Sequence, residues 1–228
     1  LEKTTHISAK ARLARILVTH CPDQSDRAWA IVQEALKVAS HKKNTEERYR
    51  FNFGQPGYGC DMGPFIAWIF HVFGDSAREA VFEYVEGTKV LDLQVTTAVA
   101  KAQGQAGLDI VAEALKMHID SARLAKHYQT VFELLEPLDW SAYHEKAWEI
   151  ATCDYREIVD VACRALAAAT TGDVTATATA RMASKNKAER LSAGLVFGYQ
   201  GNLTPLGDVV DTEKDETNRD ALLGFLLA

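Results

Sequence analysis

Between Asp23 and Val38 the apolar residues Ala28, Trp29, Val32, Ala35 and Leu36 recur every three or four positions, which predicts a helix with one buried stripe. Asp23 or Ser25 can cap its start. Asn44 and Glu47 have the spacing of a capping box for a short helix, after which "FNFGQPGYGCDMGP" breaks any regular period. "PFIAWIFHVFG" is apolar on every side and predicts a helix at the centre of a core. Residues 83–97, "EYVEGTKVLDLQVTT", carry the chain's strand signal, with β-branched residues around Gly87, and read as a small β-hairpin.

Helical periodicity then returns. "GLDIVAEALKMHIDSARLAKHYQTVFELLEP" predicts one or two helices ended by Pro137, and "DWSAYHEKAWEIATCDYREIVDVACRALAAATTGD" more, ended near Gly172. "DVTATATARMASKNKAERLSAGL" reads as a last helix, with Arg181, Lys185, Lys187 and Arg190 toward its end. Beyond Gly198 the period is lost for about thirty residues, longer than an ordinary loop. The expectation is an all-α protein: an N-terminal arm at 1–22, a single helical core at 23–198 and an extended C-terminal arm at 199–228.

Composition narrows the class. At 228 residues, 47% of them hydrophobic, the chain can bury a core. Its net charge of −6 gives no global field for a polyanion, so a nucleic acid would have to meet a local patch. Cys21, Cys60, Cys153 and Cys163 are widely spaced and read as reduced thiols. The longest apolar run, Pro64 to Gly74, is about half of what a membrane span requires and contains His71, so no membrane partner is expected.

Two constellations carry chemistry. Glu133-x-x-Glu136 and Glu157-x-x-Asp160 each put two carboxylates on one helix face, and two such faces can hold Mg²⁺ against a triphosphate. That arrangement is similar to all-α nucleoside triphosphate pyrophosphohydrolases, although acidic pairs of this spacing are common on solvated helices. His118, His127 and His144 are not spaced as a metal site, and neither Cys153 nor Cys163 has an identifiable base. No phosphate-binding glycine motif is present, since "GQPGYG" precedes an apolar helix rather than joining strand to helix.

The second constellation is spread along the chain. "NKAERLSAGLVFGYQGNLTPLGDVVDTEKDETNRDALLGFLLA" contains Phe197-Gly198, Gly201-Asn202, Glu216-Thr217-Asn218-Arg219 and Leu222-Leu223-Gly224. In this order and setting it resembles the C-terminal part of potyvirus-type coat proteins of flexuous filamentous plant RNA viruses. "DRAWAIVQEAL", "FIAWIFHVFGDS", "ALKMHIDSARLAKHYQTVF" and "DYREIVDV" are similar to earlier segments of that family, collinear over residues 25–228. The interval between the second and third of these segments is longer, and the next shorter, than the family pattern, so the resemblance is to a distant member.

The resemblance implies a viral coat protein found in the virion and the host cell cytoplasm, without catalytic activity or cofactor. It would polymerise into a flexuous helical filament on single-stranded RNA. The RNA-binding residues it implies are Ser76, Arg123 and Asp160. Arg123 would fork onto phosphate, Ser76 would bond phosphate or sugar, and Asp160 would orient the arginine or accept from a base or 2′-hydroxyl. The plainer alternatives are that Ser76 caps the helix "AREAVFEYV", that Arg123 pairs with Asp120, and that Asp160 is a surface carboxylate. On the same resemblance both terminal arms join neighbouring subunits, with Val209, Val210, Leu222, Leu223 and Phe225 as the docking residues.

Overall fold

In a computed structural model, residues 6–40, 53, 62–88, 92–116 and 122–227 are described. They form helices and short 3₁₀ turns, with no strand among them. The chain divides into two compact units, Leu1–His118 and Ile119–Ala228, and the expected core at 23–198 spans both.

In the first unit α1 (Ile7–His20) packs on α2 (Ser25–Ser40). Ile7, Ala11, Ala14 and Leu17 of α1 and Ala28, Ile31, Val32, Ala35 and Leu36 of α2 are buried. Most of the stretch expected as an N-terminal arm is therefore a helix, because its apolar residues fall every third or fourth position and find a partner stripe. Lys10 is buried between the two helices with its ammonium on the carboxylate of Glu34. The apolar helix α3 (Met62–Phe73) crosses α5 (Leu93–Gln103) at Gly63, where a Cβ would stand 2.8 Å from the carbonyl oxygen of Gln94.

The β-hairpin expected at 83–97 is absent. Residues 83–88 end α4 (Arg78–Thr88) and 93–97 begin α5; 89–91 lie outside the described residues. Val81, Tyr84 and Val85 share one buried helical face, and Gly87 lets α2 pass with Ser40 Cβ only 3.1 Å from where its own Cβ would be. Asp92 starts α5 by accepting hydrogen bonds from the backbone N–H groups of Gln94 and Val95. Packing and capping here outweigh the β-branched composition. The short α6 (Leu108–Glu113) completes the unit.

The second unit contains α7 (Ala125–Leu135), α8 (His144–Ile150), α9 (Arg156–Ala168), α10 (Val174–Met182), α11 (Lys187–Tyr199), α12 (Leu203–Thr212) and α13 (Glu216–Leu226). The one helix read from "DVTATATARMASKNKAERLSAGL" is two, because Asn186 caps α11 by accepting from the N–H of Ala188. Around α11 pack α9, α10, α12 and α13, covering Ser192, Ala193, Leu195, Val196 and Phe197.

The extended C-terminal arm expected at 199–228 is likewise corrected to two helices. Gly201, at φ 67°, ends α11, and Asn202 N–H closes the turn on the Phe197 carbonyl at 2.9 Å. Val209, Val210 and Leu222 are then buried within their own chain, while Leu223 and Phe225 are half-buried. Gly194 and Gly198, one turn apart on α11, make room for α13: a Cβ on either would lie 2.7 Å from the side chain of Leu222 or the ring of Phe225 respectively. No helix among the described residues is long and apolar enough to cross a membrane.

Candidate nucleic-acid interface

Ser76 belongs to the first unit. It is exposed in the 3₁₀ turn Gly74–Ala77 and lines a cavity of about 260 Å³ together with Trp29, Gln33, Lys37, Glu79 and Tyr84. Arg123 and Asp160 belong to the second unit. Arg123 is exposed in the 3₁₀ turn Ala122–Leu124, which leads into α7 and packs against α9.

Asp160 sits near the start of α9 with both carboxylate oxygens engaged. Oδ1 accepts the phenol proton of Tyr199 on α11, and Oδ2 accepts from Arg164 Nη2 at 3.0 Å. The Arg164 guanidinium lies over the Tyr199 ring, 5.1 Å from its centroid, and remains two-thirds exposed at 66%. Burial, followed by the bond to Asp160, pushes the Tyr199 phenol above its ordinary range, so it stays a donor at neutral pH. The arginine that Asp160 visibly orients is thus Arg164, one turn along its own helix.

This group stands on a groove of about 730 Å³ between α7 and α9. Phe132, Trp140, Val161 and small alanines supply apolar lining. Lys126, Arg156 and Arg164 bring cations, and Glu133, Glu136, Glu157 and Asp160 bring carboxylates. All four residues of the acidic motif therefore share one groove. They do not converge: Glu133 accepts from Gln129, Asp160 is held as above, and no group of three or more His, Cys, Asp or Glu among the described residues could hold a metal ion.

The thiols play no part in this arrangement. Cys163 is buried on α9, donates to the Ser192 carbonyl at 3.6 Å, and is pushed up by burial, which leaves it a poor nucleophile. Cys21 and Cys153 are free thiols too, and Cys60 and His118 lie outside the described residues. His144 is buried with its ring edge-on to Trp140, 4.3 Å between centroids.

Sequence reasoning missed Arg164, Tyr199, Lys126, Arg156 and Trp140. Arg164 carries a usable signal, since it stands four residues after Asp160. Tyr199 carries none, being 39 residues away from its carboxylate partner. The fold and site define an all-α protein of two compact units, the second bearing a groove with an oriented arginine at its edge. Compared with protein-family models, curated proteins and solved structures, the chain matches none.

Proposed function

We propose that this chain is a coat protein that polymerises on single-stranded RNA, as the collinear resemblance to potyvirus-type coat proteins implies. The observation that carries the RNA reading is Arg164: a guanidinium fixed by a carboxylate and an aromatic face, yet two-thirds open to solvent beside a groove with aromatic lining. Such a fork matches two oxygens of a phosphodiester, a contact that carries no preference for base sequence. Arg123, on the turn entering α7, adds a second exposed guanidinium in the same unit.

The acidic residues of the groove weaken each contact with phosphate. A filament compensates by joining many weak sites on one strand. Base specificity is low for the same reason, since every subunit takes whatever bases pass. Subunit contacts fall to apolar groups left open, such as Leu203 and Leu227, rather than to Val209, Val210 and Leu222, which serve the chain's own core.

Electron microscopy of the purified protein, with ultraviolet absorbance ratios before and after ribonuclease, tests this reading. Flexible rods with protected nucleic acid are expected, and Arg123→Ala is expected to lower the RNA content. A monodisperse species free of nucleic acid overturns it. The second reading, the pyrophosphohydrolase, rests on the four carboxylates lining one groove and is weakened by their not converging; pyrophosphate release from dUTP or dCTP with Mg²⁺, abolished by Glu133→Gln or Asp160→Asn, would establish it instead.

A further inference from the structure

We propose that the C-terminal helix α13 sets the position of Arg164 at the groove, acting through Phe225, Tyr199 and Asp160. The inference rests on the RNA reading for the identity of the ligand, but the relay itself is a property of the second unit.

The contacts run without a gap. Phe225 on α13 meets Tyr199 edge to face, with centroids 5.0 Å apart and planes at 85°. Its ring also lies against bare backbone at Gly198, where a Cβ would come within 2.7 Å. Tyr199 in turn donates its phenol proton to Asp160, accepts at the same hydroxyl from Arg164 Nη2 at 3.5 Å, and offers its face to the Arg164 guanidinium. Asp160 holds Arg164 by the second carboxylate oxygen at 3.0 Å.

An exposed aspartate and arginine one turn apart would fix very little by themselves, because water competes for both and the arginine has many rotamers. The phenol changes this. By occupying one carboxylate oxygen it directs the other toward Arg164, and its ring supplies a floor for the guanidinium plane. Phe225, packed edge to face with the Tyr199 ring, helps to hold it in that place. Phe225, Tyr199 and Asp160 are therefore positioning residues, and Arg164 is the group that meets phosphate already ordered, which spares part of the ordering cost of binding. Lifting α13 from α11 loosens Arg164; by linkage, RNA held at Arg164 stabilises the docked α13.

The test uses the full chain and two readouts. The first is anisotropy of a fluorescein-labelled oligouridylate. The second is the rate at which phenylglyoxal modifies Arg164, followed by peptide mass, which needs no RNA. Phe225→Ala is expected to weaken oligouridylate binding about fivefold and to speed modification of Arg164 about threefold. Arg164→Ala is expected to weaken binding about tenfold or more, and adding Phe225→Ala to it is expected to change nothing further. Tyr199→Phe keeps the ring packing and loses the phenol's bonds to both Asp160 and Arg164; it should reproduce the faster modification with unchanged circular dichroism, so the tyrosine's part in the relay is testable even if Phe225→Ala misfolds. Equal Arg164 reactivity in wild type and Tyr199→Phe, or an equal effect of Phe225→Ala with and without Arg164, overturns the relay. Absent oligouridylate binding in wild type with Arg164 reactivity still answering to both Phe225→Ala and Tyr199→Phe overturns the RNA reading and leaves the relay standing.

Discussion

Arg190 on α11 grips Glu213, between α12 and α13, with two arms of its guanidinium: Nε donates to Oε2 at 3.0 Å and Nη2 to Oε1 at 2.8 Å. The Glu213 side chain has no exposed surface, and its Oε1 also accepts from the N–H of Asp215 at 2.9 Å. The other arm of Arg190 donates to the carbonyls of Ser184 and Lys185. A buried pair so fully bonded is tolerated, but either partner alone is not.

Glu213→Gln should therefore cost about 2 kcal/mol, read as a lower midpoint in urea. The bond to Arg190 holds the Glu213 carboxyl below the usual glutamate range. Its stabilisation is thus complete above the unfolded-state pKa and is lost as pH falls through the lower folded-state value. Melting curves in acid should show wild type converging on Glu213→Gln; an unchanged gap across that range would contradict the assignment.

Gly194→Ala and Gly198→Ala set two effects against each other. Alanine favours an isolated helix over glycine by about 1 kcal/mol, whereas forcing a Cβ 2.7 Å from Leu222 or Phe225 costs roughly 1–3 kcal/mol. Overlap is expected to win, so both variants should melt lower and be cleaved faster between α12 and α13 by a probe protease. Higher melting temperatures would mean that α13 does not sit against α11 in solution.

Deleting residues 203–228 should destabilise the second unit rather than merely trim an arm. Leu206, Val209, Val210 and Leu222 are buried, a loss on the order of 5–10 kcal/mol and comparable to the whole stability of a domain. A truncated protein with undiminished melting temperature and no gain in dye binding to apolar surface would refute this.

His144 opens α8 with its ring buried against Trp140, and its Nε2 has no hydrogen-bond partner among the described residues. Burial lowers its pKa and the Asp139 carboxylate opposes that only in part. The unfolded chain therefore takes up a proton first, and stability should begin to fall as pH drops below the ordinary histidine range, levelling below the folded-state value. His144→Phe should remove that part of the pH profile; an unaltered profile would place the titration elsewhere.

Much of the first unit was open to inspection in the sequence. Of the expected stripe, Ala28, Val32, Ala35 and Leu36 lie buried on α2 as their spacing requires while Trp29 is half-buried, and the all-apolar run becomes α3 in the core. The region 83–97 misled because β-branched residues were weighed as strand formers, while what decided was the partner face offered by α2 and the cap provided by Asp92. Of the site, Asp160 and Arg164 were within reach as an i, i+4 pair, whereas Tyr199 reaches them only because α11 packs on α9.

The tail separates the two kinds of information most clearly. By itself the sequence determined that this is a helical protein with a sizeable core, since periodicity, caps and breakers act within a turn or two of chain. It could not determine the role of the glycines between 194 and 201. A glycine signals either freedom of the backbone or absence of a side chain, and the local sequence does not distinguish them. Gly201 serves the first purpose, ending α11 at positive φ; Gly194 and Gly198 serve the second, as the bare surface on which Leu222 and Phe225 rest. Only the tertiary structure decided that, because it depends on which helix comes back to fill the space.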